Sequence, residues 1–129
     1  MATIERFEDV QAWQKARELV REVYKISMGG RLSKDFGFKD QLCRAAVSSM
    51  SNIAEGFARM SARDFARFLD ISRGSVMDVQ SLLYVALDVG YVEKNEFDRL
   101  YQRAEETRSL IGDFTSYLRN RFRPRRPSS

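Results

Sequence analysis

The sequence predicts an all-α protein, folded as an antiparallel, up-down-up-down four-helix bundle. Three observations carry that prediction. Apolar residues recur at three- and four-residue steps through four long stretches, the period at which one face of a helix returns. Nothing alternates at period two, so a sheet is not expected. Both prolines, Pro124 and Pro127, lie at the far end, which leaves residues 1–123 without a helix breaker.

The first helix is expected over about residues 9–28. Val10, Trp13, Ala16, Val20, Val23 and Ser27 form its inner stripe, and Lys15, Arg17, Glu18, Arg21 and Glu22 take the other side as surface pairs. Phe7, ahead of Asp9, suits a hydrophobic staple at its start. Gly29-Gly30 ends it, because glycine accepts the left-handed closing geometry. Residues 31–37 read as a linker, with Phe36 and Phe38 on either side of Gly37 folding back on the bundle end.

The second helix, about 38–59, is the one the others are built around. It is rich in alanine and serine and carries Leu42, Ser49, Ile53 and Gly56 at helical spacing. A glycine inside a helix costs roughly 1 kcal/mol relative to alanine, and close approach of a neighbouring backbone is the usual compensation. Ser61, with Asp64 three residues on, supplies a capping box for a third helix over about 62–89. Its stripe runs Phe65, Phe68/Leu69, Ser72, Val76, Val79, Leu82/Leu83 and Ala86, and Gly74 and Ser75 are expected opposite the small residues of helix two. Gly90 stops it. The fourth helix, about 93–121, turns Phe97, Leu100/Tyr101, Ala104, Ile111, Phe114 and Leu118 inward, with Glu93 and Glu96 suiting its N-terminal dipole. Residues 1–121 thus form one domain, and 122–129 a basic tail expected to be flexible.

Composition agrees with a single soluble domain: 129 residues support one core and not two. No apolar run reaches about 18 residues, and the N-terminus lacks a signal core. The lone cysteine, Cys43, sits in the apolar second helix, where it reads as a small buried side chain rather than a reactive thiol. These features imply a cytoplasmic protein. Charge is unevenly placed. The net charge is +4, but Arg119, Arg121, Arg123, Arg125 and Arg126 crowd the end of the chain with no acid among them; without those five, 17 basic face 18 acidic side chains. The basic character belongs mainly to the tail.

Three separated segments resemble a known family. They are Phe7-Glu8-Asp9-Val10-Gln11-Ala12-Trp13-Gln14-Lys15-Ala16, Arg44-Ala45-Ala46-Val47-Ser48, and Ser51-Asn52-Ile53-Ala54-Glu55-Gly56-Phe57. The likeness continues through Arg67-Phe68-Leu69, Gly74-Ser75 and Ala86-Leu87-Asp88-Val89-Gly90-Tyr91, covering roughly residues 6–119. The chain resembles the four-helix-bundle family of proteins encoded in intervening sequences of bacterial 23S ribosomal RNA genes. That family also includes the accessory variability determinant proteins of diversity-generating retroelements. Met50 stands where the family often has proline, and Ser49 where it usually has a bulky aliphatic. The resemblance implies a homopentameric barrel with a central channel and no established catalysis. For the retroelement branch it implies binding of nucleic acid and of a reverse transcriptase.

The inventory argues against an enzyme. The chain has no histidine, so the common proton shuttle and metal ligand is missing. Cys43 has no paired base, no zinc ligand set can be assembled, and no glycine-rich phosphate cradle occurs. No catalytic residue, metal or cofactor is therefore assigned. Asn52 and Glu55, one turn apart beside Gly56, read either as a polar site facing a channel or partner, or as structural groups. In the second reading Glu55 pairs with Arg59 or an arginine of helix three, and Asn52 bonds across a helix interface. Trp13 reads as core or as part of a subunit interface.

Arg59, Arg63 and Arg67 recur at four-residue steps around the turn between helices two and three. Such a row is a solvated face or, repeated by an oligomer, a ring of positive potential. The tail is a solubilising end or a binding arm, whose guanidinium forks suit phosphate and whose Phe122 suits a base. The expectation is a non-catalytic oligomer that binds structured RNA through Arg59, Arg63, Arg67, Arg119, Arg121, Arg123, Arg125 and Arg126, as the accessory partner of a reverse transcriptase. The alternative is a protein–protein adaptor with no nucleic-acid role.

Overall fold

The computed structural model describes residues 4–121. Four helices, α1 (Gln11–Ser27), α2 (Phe36–Phe57), α3 (Ala62–Asp88) and α4 (Lys94–Arg121), make up nearly all of it, with short 3-10 turns at Phe7–Asp9 and Leu32–Lys34. No strand occurs among the described residues. α1 packs on α2 and α4, and α3 packs on the same two, which closes a four-helix bundle. The expected order and inner stripes are present: Val23, Leu42, Ile53, Leu69, Val76, Leu83, Leu100 and Ile111 are fully buried at its centre. No helix among the described residues is long and apolar enough to cross a membrane.

The helix boundaries shift for local reasons. The first helix begins at Gln11 rather than residue 9, because the Asp9 carboxylate accepts from the backbone N–H groups of Glu5 and Arg6 and closes the preceding 3-10 turn instead. Phe7 does pack there, edge-on to Trp13 with ring centroids 5.1 Å apart. The second helix starts two residues before position 38, since Asp35 caps it by accepting from the Phe38 N–H at 3.2 Å. It also stops earlier than 59, at Phe57. Only one of the paired phenylalanines folds back: Phe38 meets Tyr91 edge-on at 5.7 Å, whereas Phe36 is exposed. Ser61 caps α3 as expected, accepting from the Asp64 N–H at 3.1 Å.

Gly30 and Gly90 adopt φ of +61° and +78°, so both turns at one end of the bundle need glycine. Arg31 bridges them, donating to the carbonyls of Val89 and Gly90 at 3.1 Å each while its guanidinium lies over Tyr91. Tyr91 in turn donates its hydroxyl to Asp35 at 2.7 Å. This clasp holds the Asp35 carboxyl below its ordinary value, first through the Tyr91 hydroxyl and second through the Phe38 N–H, with desolvation opposing weakly. Folded Asp35 therefore holds its proton less readily than the unfolded residue. Its stabilisation is complete above the ordinary carboxylate value and is lost as pH falls through the folded one. Asn still caps a helix, so Asp35→Asn isolates the titration. Between pH 7 and 3 the melting temperature of Asp35→Asn, followed by circular dichroism, is expected to fall less steeply than that of the parent. Equal slopes would assign the acid sensitivity to other carboxylates.

The surface charges of α1 pair within the helix, Lys15 with Glu18 and Lys25 with Glu22, but also beyond it. Glu22 reaches Arg99 on α4 at 2.6 Å, and Glu18 lies near Arg103 at 3.7 Å as well as Lys15 at 3.4 Å, so the charges tie α1 to α4. Glu22 is held below its ordinary value chiefly by the Arg99 hydrogen bond.

The α2–α3 seam is the tight one. Ser72 donates to the Ser49 carbonyl at 2.5 Å, and the hydroxyls of Ser48 and Ser75 meet at 2.8 Å. A bulky side chain at position 49 would have no room, since Ser49 is fully buried and turns its own hydroxyl onto Ala46. Gly56 lies where a Cβ would come within 2.7 Å of the Phe68 Cβ. Gly74 is different: it is exposed, and a Cβ there would meet nothing within 4 Å. Its expected place opposite the small residues of α2 is taken by Ser72 and Ser75, because a rotation of one position about the helix axis moves a residue by about 100°.

Candidate nucleic-acid interface

In an antiparallel bundle the C-terminus of α2, the N-terminus of α3 and the C-terminus of α4 share one end. The sequence fixes arginines at each of these helix ends, and the fold gathers them. Arg59 follows α2, Arg63 and Arg67 occupy the first two turns of α3, and Arg119 and Arg121 close α4. An aromatic floor, Phe57, Phe65 and Phe114, links the three helices beneath, with centroid separations of 6.1 Å between Phe57 and Phe65 and 5.3 Å between Phe65 and Phe114.

Two guanidiniums share one ring. Arg59 stands 4.6 Å and Arg67 4.9 Å from the centroid of Phe68, close enough for cation–π attraction. Arg59 also pairs with Glu55 at 3.0 Å, and Arg67 lies 4.0 Å from Asp64. Arg119 reaches from α4 across to Asp70 on α3. Arg121 contacts Tyr117 on its own helix. Arg63 is exposed and makes no ion pair with any described residue. Between α3 and the last turns of α4 runs an open groove of about 960 Å³, lined by Arg63, Asp64, Arg67, Asp70, Arg119 and Asn120 together with smaller apolar groups.

The residues singled out from sequence thus divide. Arg63, Arg67 and Arg119 come together at the groove and Arg59 joins Arg67 over Phe68; Arg119, within the fourth helix as expected, is held by Asp70 of α3. Arg123, Arg125 and Arg126, the Phe122 between Arg121 and Arg123, and the expected flexibility of residues 122–129 lie outside the described residues. Asn52 and Glu55 are both engaged: Asn52 donates to the Ser48 carbonyl at 2.8 Å and hydroxyl at 3.0 Å, within its own helix rather than across the interface, and Glu55 pairs with Arg59 as in the structural reading. Trp13 is buried against Phe7, and Gly56 is a packing contact. Cys43 is buried, its Sγ 3.5 Å from the Ser27 hydroxyl. Sequence reasoning missed Asp70. Its partner is 49 residues away, beyond any helical period. Asp64 stands three residues before Arg67, a spacing that does signal a pair.

A family model described as 23S rRNA-intervening sequence protein matches residues 8–113. The chain belongs to the 23S rRNA-intervening sequence protein family. The match runs through all of α1, α2 and α3 and most of α4, so the intervening-sequence bundle is the fold just described. Among solved structures, a Bacteroides thetaiotaomicron protein of unknown function from the S23 ribosomal protein family superposes with a TM-score of 0.73. It is 20% identical, over 81% of this chain and 97% of its own, which shows a shared fold. No curated protein matches the chain. The match to the intervening-sequence family ends before Arg119 and Arg121, so the α4 side of the arginine cluster lies outside it.

Proposed function

We propose that this chain is a non-catalytic RNA-binding accessory protein, whose binding surface is the arginine-bearing end of the bundle. The observation that supports it is the gathering of Arg63, Arg67 and Arg119 around one open groove, with Arg59 joined to Arg67 through the ring of Phe68. Guanidinium forks match phosphate oxygens two at a time and stack on exposed bases, so a cluster of this kind suits a folded polyanion. The reading includes assembly as a homopentamer in the cytoplasm, which repeats the cluster around a ring and multiplies its potential. Exposed Ile71, Met77 and Val85 on the outer side of α3, with Val89 just past its end, provide apolar surface for contact between subunits. The preferred setting, as partner of a reverse transcriptase in a diversity-generating retroelement, rests on the family resemblance. The same exposed α3 residues favour the second reading, a protein adaptor.

A labelled hairpin RNA titrated at 50 and 200 mM salt separates the two. With four phosphates contacted per site, affinity is expected to drop about 50-fold between those conditions. An absence of binding at the lower salt overturns the RNA reading, and a protein partner retained through nuclease and high salt supports the adaptor. Light scattering on the same sample reads the oligomer mass, and a monomer at micromolar concentration removes the ring.

A further inference from the structure

The groove between α3 and α4 contains more than positive charge. Of its three arginines, two are already engaged: Arg119 by Asp70 across the groove, and Arg67 by Asp64 along α3. All four of these side chains are about half exposed or more. Ion pairs so open to water are weak, because water screens them and two long side chains must be held still. A phosphodiester offers a guanidinium two oxygens in fork geometry and releases counterions when it binds. It competes with a carboxylate on better than equal terms.

We infer that this groove is a phosphodiester subsite in which Arg63 is the standing contact, while Arg67 and Arg119 are exchanged from Asp64 and Asp70 when a nucleic-acid backbone enters. The inference rests on the RNA reading above and locates it. Arg63 has no described partner to give up, so it meets the ligand first. Arg119 sits on the opposite wall, so its transfer from Asp70 closes the groove from the α4 side. The released Asp70 then faces the phosphate as a like charge, which lowers affinity. Asp70 therefore sets how tightly the groove holds RNA, and Asp64 does so more weakly, its arginine standing 4.0 Å away.

Asp70→Asn keeps the shape of the side chain and removes its charge. Against the same hairpin RNA it is expected to bind about three- to fivefold more tightly at 50 mM salt, the scale of one surface charge pair. Its dependence on log salt should stay close to the parent's, because Arg119 meets phosphate in both proteins and only the cost of leaving Asp70 differs. Asp88→Asn, an exposed site at the opposite end of α3, adds the same unit of net charge away from the groove and should leave both quantities nearly unchanged. Equal tightening in the two variants would reduce the effect to bulk charge and overturn the subsite. So would unchanged or weaker binding by Asp70→Asn. Failure of the parent protein to bind RNA removes the functional reading and the subsite together, whereas parent binding without an Asp70 effect removes the subsite alone.

Discussion

Gly56→Ala is expected to lower the melting temperature by a few degrees, at most about 8 °C, although alanine is the better helix former. Propensity favours the change by roughly 1 kcal/mol. Packing opposes it more strongly. The new methyl would stand 2.7 Å from the Phe68 Cβ, 2.9 Å from Phe65 Cδ1 and 3.3 Å from the Phe65 carbonyl oxygen. A ring edge can swing aside, but the Phe68 Cβ is fixed to the α3 backbone. Relief then requires α2 and α3 to part, which also stretches the Ser72–Ser49 and Ser48–Ser75 contacts. Overpacking of this kind costs about 1–3 kcal/mol, and each kcal/mol is worth about 4 °C for a domain of this size. Gly74→Ala is the paired measurement. Nothing lies within 4 Å of its Cβ position, so the propensity term stands alone and the melting temperature should rise by a few degrees. A loss at Gly74 equal to that at Gly56 would show that neither site is governed by packing.

The second large effect falls on binding. Replacing Arg59, Arg63, Arg67 and Arg119 together by glutamine is expected to weaken hairpin RNA binding by on the order of 100-fold at 50 mM salt. The slope against log salt should flatten by about 3, four lost contacts at roughly 0.7 each. The fold should survive, because the three ion pairs these residues make are solvent-exposed and contribute little to stability. A far-ultraviolet spectrum and melting curve close to the parent's establish that control. Binding that persists with an unaltered salt slope would move the RNA surface elsewhere on the bundle.

The contrast between the two glycines also marks what the sequence could tell. Helical period and the small-residue stripe were enough to place four helices, the Ser61 cap and the close approach at Gly56, because each follows from a local pattern. The same cue misplaced Gly74, since the side of a helix that meets its neighbour depends on its rotation within the bundle. Asp35 is hidden as a cap by the aromatic run after it, and spacing alone leaves Asn52 open between a polar site and a helix interface, whereas it bonds to Ser48 of its own helix. At the candidate site, the row Arg59, Arg63 and Arg67 was legible from spacing. That Arg119 would stand across from it was not, because only the antiparallel return of α4 brings residue 119 beside residue 70.

The contacts joining Arg31 to Val89 and Gly90, and Tyr91 to Asp35, connect positions 56–59 residues apart. Neither the α1–α2 nor the α3–α4 hairpin can make them by itself. They can form only once both hairpins have met, so they are expected to be little formed in the folding transition state. Losing them should leave the refolding rate nearly unchanged and show on the unfolding limb of a chevron plot. On that expectation the clasp is a latch on the finished bundle, one that slows its opening without hastening its assembly.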